Sequence, residues 1–487
     1  MTTKNNPLSK PLKVAIIGGG VAGSTIAIRL AMTGATVHLF EKNASLINAP
    51  PMCHLHAGGN LYREISDDDC KTLMCQCIDI ARLYPHSIDV RPTIIAVPTR
   101  DTQTASDLLP RLKLLQTFYQ TLIEQNPSHQ VLGKAEDYYR VYQRDELESL
   151  AKCDLVANPQ TTDDWLIGYA KLVDLDKLQY PVIAVQEYGW NIFRLSASAH
   201  LQLDNLPNAH VLTHTKVTDL TQSENGWQIT VETNQTEQAE VKTFNVDYVI
   251  NACGFRTGII DDKVGVKVER MVEFKASYLA YWQNFGYPLP EMIFHGERGT
   301  PHGMAQFTPY PNGIFQLHGM TEAITLFKDG LSKSTDTSSQ PPINPQYLDY
   351  IENGWDKSTL QNRTQKAIDY VAEFIPNFAT ATPIDNALYG GQQVPSDDIS
   401  VRVADLQVFA DKRYAIAENV KANSALDVAD GVVEALIEGK LLPIEARKRL
   451  SWQVIEVEEV NTLAHQLANQ RGYPLAMAKV SQALTQF

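Results

Sequence analysis

The sequence predicts an α/β protein. A parallel sheet is assembled from distant pieces of chain, a second β-sheet domain is interleaved with it, and the C-terminal tail is helical. Three observations carry this expectation. A short apolar run near the start leads through a glycine-rich turn into a helix and a second strand. Far downstream, Asp247 to Gly254 repeats the pattern of a buried strand that ends in small residues. Segments of different character, Lys267 to Gln283 and Gly303 to Gly319, read as strands of another sheet.

The opening unit is the most informative. Val14-Ala15-Ile16-Ile17 reads as a buried parallel strand, Gly18-Gly19-Gly20-Val21-Ala22-Gly23 as its turn, and Ser24 to Met32 as the helix. Thr36 to Phe40 forms the next strand and ends on Glu41, followed by Lys42. This is the βαβ fingerprint of a Rossmann-type dinucleotide site. Gly18 allows the tight turn, Gly20 lets the backbone approach a pyrophosphate, and Gly23 lets helix and strand pack closely. The helix N-terminus offers amide donors to phosphate, and Glu41 stands where a carboxylate accepts ribose hydroxyls. A glycine turn that merely capped a helix would not account for that acid.

At 487 residues the chain is long enough for two substantial cores. A net charge of -14 with no compensating basic stripe argues against a nucleic-acid partner. No stretch has the length and apolar purity of a membrane span, and Met1 to Lys13 lacks the apolar core of a signal peptide. A cytoplasmic protein is expected, at most peripheral to the inner face of the membrane. Cys70, Cys75 and Cys77 fall on one expected helix, which does not converge them on a metal. With Cys53, Cys153 and Cys253 they read as thiols in a reducing compartment, so no metal site is expected.

Further elements follow in order. Ser66 is placed to cap a helix to Tyr84 with Asp67 to Asp69 in its first turn. Val90 to Val97 reads as a strand, and Ser106 to Gln125 as a long helix despite Pro110. Asn225-Gly226 is a hairpin turn leading into Trp227 to Val231. Pro311-Asn312-Gly313 is another turn, and beyond Pro443 the tail is amphipathic and helical.

The fingerprint, the segment Glu187 to Trp190, the strand at Val217 and the strand from Tyr248 to Gly254 resemble the D-amino-acid-oxidase superfamily of FAD enzymes. The resemblance runs from about Lys13 to about Leu441 and implies a glutathione-reductase-like FAD domain. That domain would comprise 13–66, 185–264 and 387–439. The substrate domain would comprise 67–184 and 265–386, and the tail 440–487. Val217, Ala252 and Gly254 would then lie beside the cofactor. Only one dinucleotide fingerprint is present, so electrons are expected to come directly from a small organic substrate and to leave to a quinone or oxygen.

Within the superfamily, Leu55-His56-Ala57-Gly58-Gly59-Asn60, Thr300-Pro301-His302 and Tyr389 to Val394 resemble motifs of malate:quinone oxidoreductase. Two arginines of that family fall at Gln306 and Gln393. Glutamine cannot replace the bidentate charged fork that grips a carboxylate, which speaks against a dicarboxylate substrate. His56-Ala57-Gly58 also resembles the segment of dimethylglycine and sarcosine dehydrogenases in which a histidine joins the flavin covalently. A histidine that only hydrogen-bonds near the cofactor is the plainer reading.

The implied chemistry is hydride transfer from a substrate such as a 2-hydroxy acid, with a base taking the proton from its hydroxyl. His302 is the first choice for that base and His318 the second. Arg402 and Arg91 are candidate cations for an acid substrate. An amine dehydrogenase is an alternative. So is a flavin monooxygenase or halogenase, although the Gly-Asp motif of those enzymes is replaced here by Ala417 to Lys421. A non-catalytic FAD-binding protein would lack convergent polar groups in its substrate domain.

Overall fold

Six strands form the first sheet, in the order Asp405–Phe409, Tyr414–Glu418, Tyr248–Asn251, Lys13–Ile17, Thr36–Phe40 and Ala209–Leu212. All neighbours are parallel except the outermost pair, Asp405–Phe409 with Tyr414–Glu418. The computed structural model describes residues 10–49, 54–59, 65–234, 239–283, 286–398, 401, 405–418 and 421–484. A parallel sheet is covered on both sides, so its strands are apolar at successive positions rather than alternating. The two sides are nonetheless distinct. Val14, Ile16, Val37, Leu39 and Ile250 pack with Ile26, Leu30, Val432 and Val433 of the helices Val21–Ala31 and Ala425–Glu438. Ala15, Ile17, Phe40, Val249 and Ile416 instead meet Val217, Ile229 and Val231. Those three belong to an antiparallel sheet of Thr215–Ser223, Gly226–Thr233 and Glu240–Val246.

The second large sheet has nine strands. Leu331–Lys333, Met271–Tyr281, Ile314–Gly319, Ala305–Tyr310, Glu291–Phe294, Thr93–Pro98, Leu178–Val185 and Tyr139–Tyr142 follow one another, and Thr382–Val394 runs along Met271–Tyr281. Side chains of a strand alternate between faces. One face carries Ala276, Tyr278, Phe294, Phe307, Phe315 and Leu317, packed with Leu360, Ile368 and Val371 of helix Lys357–Ala372, and Phe274, packed with Tyr347 and Tyr350. The intervening residues on the same strands are Glu273, Lys275, Ser277, Gln306, Thr308, Gln316 and His318. Cross-strand pairing sets Gln306 against His318 and Thr308 against Gln316, so the polar residues share the opposite face.

Local sequence signals explain the helix ends. Ser66 caps helix Asp67–Leu83 by accepting the Asp69 N–H at 3.0 Å. Pro110 falls in the first turn of helix Leu109–Gln125, where its missing N–H costs nothing, and the expected beginning at Ser106 is a separate 3₁₀ turn. The strand expected from Val90 begins only at Thr93. The Val90 N–H instead donates to the carbonyl of Gln482 in the tail. That tail contains helix Val457–Gln470 and returns to the body through Asn191, whose amide donates to the carbonyls of Met477 and Lys479 at 2.8 and 2.9 Å.

A fully buried Arg270 joins the two large sheets. Its guanidinium donates to Asp261 at 2.5 Å and to Glu418 at 2.6 Å, both buried. Replacing only the arginine strands two buried acids, which typically costs about 3–5 kcal/mol. Arg270→Leu is therefore expected to lower the denaturant midpoint markedly, and an unchanged unfolding curve would contradict this account.

Candidate active site

The glycine turn is shaped by its neighbours. Gly18 has φ of +101°, and a Cβ there would lie 2.4 Å from the Ala252 carbonyl oxygen. A Cβ on Gly23 would lie 1.9 Å from the Gly18 oxygen. Gly20 differs, because a Cβ there would meet nothing of the protein within 4 Å. Helix Val21–Ala31 starts at Gly20 with no side-chain cap and no acid in its first turn. Its first amides thus face open space with a partial positive charge. Glu41 lies at the far edge of this cradle, buried, and its carboxylate accepts the Gly19 N–H at 2.8 Å and the Asn43 N–H at 2.8 Å. Lys42 is exposed next to it. Ala252 and Gly254 close the other side, and Gly254 has φ of +57° with open space around it. Val217 is buried in the neighbouring antiparallel sheet.

The segment 54–59 lies between this cradle and the large sheet. The Leu55 N–H donates to the Tyr188 carbonyl, and the Gly59 N–H donates to buried Glu187 at 2.7 Å. Gly58 has φ of +86° and stands so close to the Cys70 backbone that a Cβ would be 2.7 Å from it. Ala57 is buried and His56 half-buried, its ring 4.6 Å from that of buried His54. The buried Oδ1 of Asn423 has no hydrogen-bond partner among the described residues. Asn423 lies beside this segment, its amide 3.4 Å from the His56 carbonyl.

On the polar face of the large sheet, His318 is the centre of a cationic group. Burial, then Lys275, Lys421 and Arg298 push its imidazole down to about 3, against a weaker opposing effect of Glu291. Lys275 donates to Gln392 at 2.7 Å and pairs with Glu273 at 2.8 Å, and Arg298 pairs with the same Glu273. Beside them Glu291 is fully buried. His54 Nδ1–H donates to its Oε1 at 2.7 Å, Arg91 donates to its Oε2 at 2.7 Å, and Gln306 donates to Oε1. Burial alone would raise the Glu291 carboxyl, but His54 and Arg91 outweigh it and hold it at about 2.

The structure brings some expected residues together and separates others. His318 and Gln306 face each other across paired strands. Gln393 points away from them, donating to Glu418 while its neighbour Gln392 takes the place beside Lys275. Successive strand residues face opposite sides, so only one of the two glutamines can reach that face. Arg91 is buried between Asp89 and Glu291. His302 is exposed on the turn following Thr300. Arg402 and Cys53 lie outside the described residues, as do Asn60, Asn419 and Val420. Sequence reading missed Lys275, Arg298, Lys421, Glu291 and His54. The alternation Glu273-Phe274-Lys275-Ala276-Ser277, with charge on one side of a strand otherwise fit for a core, was the available signal.

A glycine cradle on a parallel sheet, facing a polar sheet across a buried glycine segment, defines a dinucleotide-dependent oxidoreductase. The chain belongs to the FAD dependent oxidoreductase (DAO) family, whose model matches residues 13–398. Its fold is similar to glycine oxidase from Geobacillus kaustophilus, with 13% identity, TM-score 0.52 and coverage of 91% of this chain and 97% of that one. It is similar to L-proline dehydrogenase from P. horikoshii, with 15% identity, TM-score 0.52 and coverage of 95% and 99%. It is also similar to FAD-bound L-alpha-glycerophosphate oxidase from Mycoplasma pneumoniae, with 13% identity, TM-score 0.54 and coverage of 92% and 97%. No curated protein sequence matches the chain significantly. The protein is thus an FAD-dependent oxidoreductase, and the residues fit the cofactor. The open space at Gly20, the uncapped helix and the preformed Glu41 carboxylate suit a pyrophosphate and a ribose. The orphaned Asn423 oxygen suits a hydrogen-bond donor on the flavin side. No helix among the described residues is long and apolar enough to cross a membrane.

The glycines separate two kinds of damage. Gly20→Val should leave a folded but colourless protein, since the added atoms enter only the cofactor space. Gly23→Ala should damage the fold itself, because its Cβ meets backbone. Circular dichroism and flavin absorbance on both variants check this, and a yellow Gly20→Val protein would contradict it.

Acid stability carries a second signature. The folded pKa of His318 is lowered below its ordinary 6.5 to about 3. Between these values the unfolded chain binds a proton that the folded one does not, so stability rises with pH there and falls on acidification below about 6.5. Glu291, lowered from 4.5 to about 2, adds a further loss as pH falls from 4.5 toward 2. His318→Gln should flatten the upper part of this slope, measured as unfolding free energy between pH 7 and 5.

Proposed function

We propose that this enzyme oxidises a small organic monocarboxylate, a 2-hydroxy acid or an amino acid, and passes the electrons to a quinone or oxygen. The observation that carries this reading is the group of Lys275, Arg298 and Lys421 around His318, with Glu273 paired to Lys275 and Arg298 and Glu291 opposing more weakly. A carboxylate set among them gains charge-assisted hydrogen bonds in a partly desolvated place. Gln306 and Gln393 are each committed to a buried carboxylate. Neither supplies a second charged fork, which favours one carboxylate over the two of malate.

FAD, when bound, accepts the hydride from the substrate carbon. The chain's own part is binding and proton handling. His318 is neutral at neutral pH, so a ring nitrogen can accept a hydrogen bond from the substrate hydroxyl or amine. A bound carboxylate offsets the neighbouring cations and raises the basicity of the imidazole, which suits it to take that proton. The role first considered for His302 therefore passes to His318, and that of Arg91 to Lys275, Arg298 and Lys421. The motif resemblance to malate:quinone oxidoreductase supports the quinone as acceptor.

Anaerobic mixing of the yellow protein with 2-hydroxy and 2-amino acids, each beside its methyl ester, tests the proposal. The acids should bleach the flavin and the esters should not. Lys275→Met should weaken the productive acid by about 2–5 kcal/mol, a loss of tens to thousands of fold in affinity. Esters that bleach as fast as acids would overturn the reading.

A further inference from the structure

A chain of buried polar groups runs from the C-terminal segment into the active site. Asp89 accepts the backbone N–H groups of Ser481 and Gln482 at 2.8 and 3.0 Å, and Ala483 forms a bridge with it. Its other oxygen accepts Arg91 Nε–H at 3.3 Å. Arg91 donates to Glu291 at 2.7 Å, and Glu291 receives both His54 and Gln306. Every side chain in this series is buried. At its far end the His54 ring lies tilted against that of His56 in segment 54–59, and Gln306 pairs across the strands with His318.

We propose that Ser481–Ala483 is a positioning strap of the active site, acting through Asp89, Arg91 and Glu291 on His54 and Gln306. Arg91 is shared by two carboxylates. With the strap in place, Asp89 is satisfied partly by the two backbone N–H groups and leaves the guanidinium to Glu291. Without those donors Asp89 has a buried charge to compensate, and it competes with Glu291 for the same guanidinium. Glu291 then releases its hold, and the two residues that lean on its Oε1 shift together. Burying ions in place of apolar groups rarely adds stability, so stability alone does not account for so long a series.

The test uses the full FAD-loaded protein with three variants. Ser481→Pro removes one N–H donor to Asp89, a chain ended after Lys479 removes both, and Ser481→Ala keeps both. Deuterium exchange at 54–59 and the dissociation constant of acetate, read from the flavin spectrum, are measured at equal FAD content. The first two variants should exchange about fivefold faster at 54–59 and bind acetate about tenfold more weakly, with Ser481→Ala unchanged. Adding Asp89→Asn to the shortened chain removes the competing charge and should restore much of what was lost, because both act through one link. Normal exchange and normal acetate binding in Ser481→Pro or the shortened chain would overturn the strap, as would fully additive effects with Asp89→Asn. If the shortened chain does not fold, Ser481→Pro decides. The acetate readout rests on the anionic-substrate reading. A wild-type flavin that ignores acetate would sink that reading, while exchange at 54–59 would still decide the strap.

Discussion

Along Met271–Tyr281, Ala276 and Tyr278 are packed against helix Lys357–Ala372 and Phe274 against Tyr347 and Tyr350, and the residues between them are held out of that core. This alternation is the constraint on which the remaining site depends. A slip of one residue would carry Lys275 and Ser277 into the aromatic core and Phe274 onto the polar face. The core face is heavily aromatic, with Phe307 stacked on Phe315 and both edge-on to Phe378, so such a slip is strongly opposed. The register of an apolar core thereby fixes where the charges stand.

The charges in turn are graded by depth. Glu291, Arg91 and Asp89 are deeply buried and paired with one another, so their charges are spent on holding geometry. Lys275, Arg298 and Lys421 are only partly covered. On the proposed reading, the inner group sets positions and the outer group meets the substrate carboxylate. The low basicity of His318 follows first from its burial and then from these cations, with Glu291 opposing more weakly.

Much of this was legible in the sequence. The strand Lys13–Ile17, the glycine turn and Glu41 carry their geometry in local residue choice, since only glycine tolerates φ of +101° beside the Ala252 carbonyl. The turn at Pro311-Asn312-Gly313 and the hairpin at Asn225-Gly226 were equally local. The site proper was less legible because it depends on which distant strands pair. Nothing near Glu291 in sequence announces that Arg91 will meet it. The glutamine pair shows the same limit from the other side. Motif comparison treated Gln306 and Gln393 as equivalent, but the parity of one strand turned Gln393 toward Glu418 and gave its place to Gln392.

The strand order of the parallel sheet has a consequence for how the chain is made. Lys13–Ile17 pairs with Tyr248–Asn251, which pairs with Tyr414–Glu418. A ribosome must therefore release about half of the polypeptide before the first strand can acquire its full set of neighbours, and most of it before the sheet is complete. Until then the apolar Val14–Ile17 run has an unfilled edge, the kind of surface that associates with other nascent chains. Folding dominated by such non-local pairings is slow. In a living cell, this enzyme should lean on chaperones late in synthesis rather than early.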